Sequence, residues 1–266
     1  MKSSLKRSVV GMALLAAGIA PWAAAGTIAP LPEGVKPRGT TTGVYAHATG
    51  VDHLAREMAA QMFATAQAQC PALKHREARL ISGSLADAGK WQADAYYTAT
   101  QSASYTVSTQ IAPVSGHDLC DFHEVTLHTV AIASFDGKRT RRISYRPDKA
   151  SATSLTVPGR RLFTHLNPDK LNGGGMGDFT PTGGREEIAG FPCRVMRASL
   201  GPSTQEICVI DSVRVPDYVR QMQLKLSVTL SGRPRGDAQV DVLIPDADID
   251  RGVFALPDGV RVEEKP

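Results

Sequence analysis

Apolar and polar positions alternate through much of this chain, and the alternation predicts a mainly β protein. From Ala103 to Ile111, apolar side chains or threonine take every second position, with serine, threonine and glutamine between them. Successive side chains of a strand point to opposite faces, so this segment is predicted to be a half-buried strand. Further short strands are predicted at 154–157, 161–166, 187–197, 204–210 and 238–244.

Helical spacing predicts one N-terminal amphipathic helix. Thr49 and Asp52, three residues apart, form an approximate capping box, and Pro71 ends the run. We expect ordinary core packing for its apolar stripe. The stripe comprises Val51, Leu54, Ala55, Met58, Met62 and Ala66.

Two patterns compete between residues 213 and 230. Val215, Val219 and Met222 continue at helical spacing, whereas residues 222–230 also alternate as a strand would. Pro216 at a first helical position and a glycine beyond the end favour a second helix, while the β-branched pair at 228–229 favours a strand. The sequence leaves 216–231 open between helix and strand.

A hairpin is predicted around Asp136-Gly137, the two-residue turn signal. Pairing about this turn sets Val130 opposite Ile143, Ile132 opposite Arg141 and His128 opposite Tyr145. This register places four apolar side chains on one face of the hairpin: Val130, Ile132, Ile143 and Tyr145.

The predicted domain organisation has three parts. Residues 1–25 are a signal peptide, and residues 26–49, rich in proline and threonine, are a poorly ordered lead segment. Residues 50–266 form a single β-rich domain, because β-rich domains often reach roughly 200–250 residues. Within it, the glycines of 171–185 predict a long connection between sheet segments.

The signal peptide fixes the expected location. A basic start precedes an apolar run at 9–20, and small residues ending at Ala25 fit a cleavage site. The run is too short to span a bilayer, and no cysteine follows it to accept a lipid. Cleavage near Ala25 would remove three basic residues and no acidic one, lowering the formal net charge from +4 to +1. We therefore expect a periplasmic protein that does not span the membrane.

Four cysteines in an exported chain predict two disulfides. Strands on either side of the loop 199–202 would place Cys193 opposite Cys208, within disulfide reach. Cys70–Cys120 follows by elimination and would tie the helix to the sheet.

Candidate chemistry is sparse. His117, Cys120 and His123 have metal-ligand spacing, but a disulfide removes the Cys120 thiolate, and His123 and His128 have opposite strand parity. Asp246, Asp248 and Asp250 resemble a calcium loop, although Arg251 and Pro257 occupy its glycine and glutamate positions. We expect solvated carboxylates in a loop there.

No other pattern predicts catalysis, a cofactor or nucleic-acid binding. The glycine run at 173–177 lacks the lysine of a phosphate loop, and no nucleophile elbow occurs. Basic residues between Lys138 and Lys149 divide between two strand faces, which favours a solvated hairpin over a nucleic-acid surface. We therefore predict no catalytic residues, metal or cofactor.

The C-terminal third resembles exported bacterial proteins related to the LolA/LolB lipoprotein-carrier fold. The resemblance is carried by EEIAGFPC at 186–193, CVID at 208–211, DID at 248–250 and FALPDG at 254–259. It implies a curved antiparallel sheet, an incomplete barrel, closed on one side by helices around an apolar cavity. It also implies binding of a lipid or another apolar ligand.

We accordingly predict an α+β, mainly β fold: a curved antiparallel sheet packed by the N-terminal helix and, on one interpretation, by a second helix. The predicted function is non-enzymatic binding of an apolar ligand, lipid or envelope partner. An envelope hydrolase with a site hidden in the sequence and a structural subunit of an envelope assembly are the alternatives. Strand parity places six candidate ligand-binding residues on the concave face, with two methionines covering them: Tyr105, Val107, Val130, Ile132, Ile143 and Tyr145, then Met58 and Met62.

Overall fold

A computed structural model gives the fold and describes residues 27–74, 76–115, 118–149, 151–159, 179–220 and 222–264. The predicted signal peptide, the predicted strand at 161–166, the glycine run at 173–177 and His117 lie outside these residues. Within them, no helix combines the length and apolarity needed to cross a bilayer.

The described residues form a mainly β structure with one α-helix, as predicted. The helix α1 spans His53–Lys74, and short 3-10 helices lie at Asp217–Val219 and Arg251–Phe254. The strands are β1 Thr40–Asp52, β2 Arg79–Leu80, β3 Lys90–Tyr97, β4 Gln101–Ser115, β5 Asp118–Phe135, β6 Arg139–Tyr145, β7 Ser151–Pro158, β8 Thr180–Ile188, β9 Phe191–Leu200, β10 Ser203–Ile210, β11 Gln223–Leu230, β12 Arg233–Asp250 and β13 Arg261–Glu264.

All of these strands belong to one large, curved sheet that stays open. The order is β13-β7-β6-β5-β4-β3-β1-β12-β11-β10-β9-β8, with β2 beside β5. Pairing is antiparallel except for β13 with β7 and β2 with β5. Because β13 and β8 remain edges, the sheet does not close into a barrel, which agrees with the predicted curved antiparallel sheet.

The prediction of a poorly ordered segment is wrong for residues 40–49, because they belong to β1 at the centre of the sheet. This strand pairs with β12 on one side and β3 on the other. Glycine is common in loops, but the glycines of β1 lie where neighbouring atoms leave no room for a Cβ. A Cβ at Gly43 would lie 2.3 Å from the Tyr97 carbonyl oxygen, and one at Gly50 would lie 2.6 Å from the Trp91 ring.

Alternation along β1 separates two cores. Val44 and Ala46 face the core of the β8–β12 half, where Leu224 and Val219 are also buried. Tyr45 points to the other side, which we call the groove face. The core on this face combines side chains of β3–β6 with Ile249 of β12 and Phe254 of the second 3-10 helix: Tyr96, Ala103, Val130, Ile132, Tyr145, Ile249 and Phe254.

Both predicted disulfides are present, but the register at the second is not the predicted one. Cys70 of α1 bonds Cys120 of β5, and Cys193 bonds Cys208. Cys193 lies opposite Ile210, and Cys208 lies opposite Val195, because the turn contains only two residues, 201–202. The disulfide therefore joins a diagonal pair on one face of the β9–β10 hairpin.

The β5–β6 hairpin is also shifted by two positions. Its turn centres on Gly137-Lys138, so Val130 lies opposite Tyr145 and Ile132 opposite Ile143. A shift of two preserves the side on which each residue lies, because side chains alternate with a period of two. All four predicted apolar side chains therefore do share the groove face.

The helix is rotated relative to its predicted packing. Its buried residues are Ala59, Ala66 and Cys70, whereas Met58 and Met62 are 53% and 43% exposed. The Cys70–Cys120 bond fixes which side of α1 meets the sheet, and small alanines allow a close approach. Asp52 alone caps the helix by accepting a hydrogen bond from the Ala55 N–H, and the helix continues beyond Pro71 to Lys74.

A second helix at 216–231 is wrong for the residues described there. Pro216 precedes only the 3-10 helix Asp217–Val219, and residues 223–230 form β11. Leu224 is fully buried in the core, and β11 pairs with strands on both sides. Similarly, the predicted strand 187–197 is two strands, since a turn at Ala189-Gly190 separates β8 from β9.

Candidate functional site

Three rows of side chains cross the groove face, because antiparallel partners directly opposite each other share a face. The row nearest the apolar core is Val242, His47, Asp94, Tyr105, Val130 and Tyr145. The second row is Lys225, Gln239, Thr49, Gln92, Val107 and His128. The third includes Ser227, Asp237, Val51 and Lys90, with Thr109 and Thr126 at its β4–β5 end.

Both ends of this face are covered. At one end α1 packs on β4 and β5, with Phe63 and Phe122 in edge-to-face contact at 5.4 Å between ring centroids. At the other end, residues 27–38 and 251–260 lie against the sheet, and we call these two segments the roof. The central rows remain accessible between the helix and the roof, which creates a groove.

A cavity of about 490 Å³ lies between the roof and the sheet, and we call it the roofed pocket. Four of the predicted site residues line its floor: Tyr105, Val107, Val130 and Tyr145. The roof contributes mostly apolar side chains, namely Pro32, Val35, Ala255, Leu256, Pro257 and Val260. Ile132 and Ile143 pack in the adjoining core and are not part of the lining.

The two predicted covering residues lie elsewhere. Met58 and Met62 line a separate cavity of about 340 Å³ between α1 and the β4–β5 strands, with Leu119 and Phe122. The prediction that they cover the concave-face residues is therefore wrong. The two roof segments, rather than α1, cover the predicted ligand-binding residues.

Tyrosine hydroxyls hold the roof to the sheet. Tyr105 donates a hydrogen bond to the Val253 carbonyl over 2.8 Å, and Tyr96 donates one to the Pro30 carbonyl over 2.7 Å. Burial raises the pKa of both phenols above the usual range, so they remain protonated donors. The two rings also make an edge-to-face contact, with centroids 5.9 Å apart.

Asp250 joins the two roof segments at their base. Its Oδ1 accepts the Gly252 N–H at 2.7 Å and the Arg38 N–H at 2.8 Å. The predicted loop at Asp246–Asp250 is therefore wrong, since these residues end β12 and the last of them caps a 3-10 helix. Gly252 is required sterically, because a Cβ there would lie 2.1 Å from the Lys36 carbonyl oxygen.

The rim of the roofed pocket is charged but nearly balanced. Lys36 of one roof segment forms an ion pair with Asp258 of the other, and this lysine lowers the pKa of the aspartate. Arg38, Lys149 and Glu33 also line the pocket. The floor also carries Asp94 and His128 among its apolar side chains, and apolar walls with a few polar groups are typical of small-molecule sites.

Asp94 of β3 contacts two side chains of β1 in the groove. It accepts a hydrogen bond from the Tyr45 hydroxyl at 2.6 Å and contacts His47 Nδ1 at 2.9 Å. Burial, followed by the hydrogen bond to Asp94, raises the pKa of Tyr45 above its usual range. Among the described residues, no serine hydroxyl is hydrogen-bonded to the His47 imidazole.

The second and third rows line a larger and more open depression of about 810 Å³, which we call the polar trough. Its side chains are mainly amide, hydroxyl and charged groups, and Val107 belongs to both the trough and the roofed pocket. The two cavities therefore adjoin along one groove. Within the part of the chain described, no three histidine, cysteine or acidic side chains converge as a metal site requires.

The sequence does not predict the roof, Asp94 or the trough. The sequence predicts a poorly ordered lead where the first roof segment lies, and Asp94 gives no local signal because its partners Tyr45 and His47 lie on β1. The FALPDG motif at 254–259 was a usable signal, since it forms much of the second roof segment. Proline and glycine there permit a compact cover that is neither helix nor strand.

Comparison with known proteins identifies no relative by sequence: no family model and no curated protein matches the chain. Two crystal forms of PNGF-II are similar in structure at 9% identity and a TM-score of 0.41, over 85% of this chain and 31% of PNGF-II. An uncharacterized conserved protein from Thermus thermophilus is similar at 10% identity and a TM-score of 0.42, over 84% of this chain and 91% of its own. Similarity at this level indicates no function.

Proposed function

We propose that this protein is a periplasmic, non-enzymatic binding protein that holds the apolar chain of an amphipathic ligand, such as a lipid, in the roofed pocket. The supporting observation is the placement of Tyr105, Val107 and Val130 beneath an apolar roof around about 490 Å³. Ligand sites commonly enclose about 300–1,000 Å³ with apolar walls and few polar groups. The resemblance to lipoprotein-carrier proteins is consistent with this ligand class.

Two features support the periplasmic location. The apolar run near the N-terminus has the form of a cleavable signal, and both cystine bridges suit an oxidising compartment. The intact mass of protein recovered from a periplasmic extract tests this part of the proposal. We expect a chain beginning at Gly26 with both disulfides formed, and a full-length chain with free thiols would contradict it.

Binding can be tested by titration with cis-parinaric acid, a fatty acid whose fluorescence rises when its chain is buried. We expect saturable binding that Val107→Arg weakens at least about tenfold, because a charged side chain would enter the pocket. Val125→Arg is the matched control, since Val125 lies on β5 with the parity of the opposite face and does not line the pocket. Absence of saturable binding would contradict the proposal.

One observation favours a hydrolase as a second candidate. The His47 Nδ1 contact with Asp94 leaves Nε2 able to act as a base, as in hydrolases with a histidine–carboxylate pair. The test is hydrolysis of p-nitrophenyl butyrate by the wild type and His47→Gln. Turnover that the substitution abolishes would favour the enzyme, whereas equal background rates would exclude this pair as its catalytic base.

A further inference from the structure

The polar trough differs from the roofed pocket in the chemistry it offers. It crosses six strands from β11 to β5, and hydrogen-bonding side chains occupy most positions of its two rows. Directly opposed residues lie about 4.5–5.5 Å apart at Cβ, and successive rows are about 7 Å apart along the strands. The trough therefore presents a regular grid of polar groups beside the apolar pocket.

The charges in this grid are paired internally. Lys225 Nζ lies 2.8 Å from Glu186, and Asp237 lies 2.6 Å from His53 Nε2 at the start of α1. Lys90 likewise pairs with Asp87, and the Asp241 carboxylate accepts the Thr49 hydroxyl. Because both lysines of the trough are paired with carboxylates of the protein, the trough offers little selection for an anionic ligand.

The neutral groups are not paired in this way. Within the described part of the chain, the following five have no hydrogen-bond partner from their side chains: Gln92, Gln239, Thr109, Thr126 and Ser227. An amide offers two donors and an acceptor, and a hydroxyl offers both functions. Such groups, now solvated, can exchange water for ligand hydroxyls at little cost.

We infer that the polar trough is a subsite for a neutral, polyhydroxylated group, and therefore that the ligand is a glycolipid with its sugar in the trough. This inference rests on the proposed function, because the apolar chain occupies the roofed pocket. Val107 lies where the two cavities meet, so one molecule can pass from the pocket into the trough at this residue. Sugar hydroxyls, which both donate and accept, match the unpaired amides and hydroxyls.

Ligands with a common dodecyl chain test the head-group preference. Isothermal titration below the critical micelle concentration compares dodecyl-β-D-maltoside with octaethylene glycol monododecyl ether, which is neutral but lacks sugar hydroxyls. Free maltose forms the third arm. We expect the maltoside to bind at least about tenfold more tightly than the ether, and free maltose to bind far more weakly than the maltoside.

Variants of trough residues test whether the preference for the maltoside over the ether arises in the trough. Gln92→Ala combined with Gln239→Ala removes two exposed amides and should abolish the maltoside preference while leaving ether affinity within about twofold. Gln110→Ala is the control, because Gln110 is exposed on β4 with the parity of the opposite face. Retention of the preference by the double variant would overturn the assignment to this trough.

The remaining outcomes separate the two proposals. Equal affinity for maltoside and ether would overturn the sugar subsite while supporting the apolar pocket. Free maltose binding as tightly as the maltoside would overturn the glycolipid assignment, since the chain would contribute nothing. Failure of both dodecyl compounds to bind would overturn the proposed function together with this inference.

Discussion

The Tyr105 hydroxyl donates a hydrogen bond to the Val253 carbonyl over 2.8 Å, so a residue in the floor of the roofed pocket also holds its roof. Tyr105→Phe removes the hydroxyl donor and leaves the buried Val253 carbonyl without this hydrogen bond. We expect a loss of about 1 kcal/mol in the free energy of unfolding, measured with urea. Amide exchange in residues 251–260 should become faster, because these residues lose an anchor.

Tyr145→Phe is the matched control for this change. Tyr145 lies in the same core, but among the described residues its hydroxyl has no hydrogen-bond partner. We expect its unfolding free energy to stay within about 0.5 kcal/mol of wild type. Similar behaviour of the two variants would show that the Tyr105 bond does not hold the roof.

Gly252 tests the contact between the two roof segments. Alanine there would place its Cβ 2.1 Å from the Lys36 carbonyl oxygen, and the backbone must shift to accommodate it. We expect Gly252→Ala to destabilise the protein by about 1–3 kcal/mol in urea unfolding. Gly236→Ala should stay within about 0.5 kcal/mol, because its nearest neighbour would be the Val51 carbonyl at 3.6 Å. A harmless Gly252→Ala would refute the close packing of the roof.

The two disulfides should differ in their contribution to stability. Loop-closure entropy predicts about 3 kcal/mol for the 15-residue separation of Cys193–Cys208 and about 4 kcal/mol for the 50-residue separation of Cys70–Cys120. Urea unfolding of the paired Cys→Ala variants measures both values. Loss of Cys70–Cys120 should also speed amide exchange in α1, whereas loss of the other should not. Faster amide exchange in α1 after loss of Cys193–Cys208, but not after loss of Cys70–Cys120, would contradict the structure.

Asp121 should make stability depend on acid pH. Hydrogen bonds from Arg79 and Arg76 lower the pKa of this carboxyl below the value of about 3.9 expected when unfolded. The unfolded chain then binds the proton more readily, so the stabilisation is present above about pH 4 and is lost as pH falls through the folded pKa. Asp121→Asn should destabilise the protein at pH 7 and converge with wild type in acid.

The control for this acid effect is Glu77→Gln. Glu77 is not buried and forms no ion pair with another described residue. Its substitution should leave the free energy of unfolding at pH 7 within about 0.5 kcal/mol of wild type, and high salt should reduce the Asp121 effect. A wild-type curve parallel to that of Asp121→Asn at every pH would disprove the assignment.

The sequence predicted the class of fold because alternation is a local signal. It also predicted which side of the β5–β6 hairpin is apolar, despite a register error of two residues, since Val130 and Tyr145 keep their parity. The central strand β1 was missed because Gly43 and Gly50 serve close packing rather than turns. The bond that ties α1 to the sheet is predicted, but the rotation of the helix is not, because the side it buries carries Ala59, Ala66 and Cys70 rather than the most apolar stripe.

The candidate site was also predictable only in part, because only some of its features are encoded locally in the sequence. Tyr105, Val107, Val130 and Tyr145 follow from strand parity, which is local. The roof depends on contacts between segments far apart in the chain, such as Lys36 with Asp258, and no periodicity encodes them. The polar trough arises only when six strands align.

The most direct test of the central claim is photo-crosslinking with a fatty acid that carries a diazirine near the end of its chain, followed by peptide mapping. We expect saturable cross-links to peptides of β4, β5 and roof residues 252–260, competed by unlabelled fatty acid. Cross-links confined to the exposed cavity at Met58 and Met62 would contradict it, as would labelling that unlabelled fatty acid does not displace.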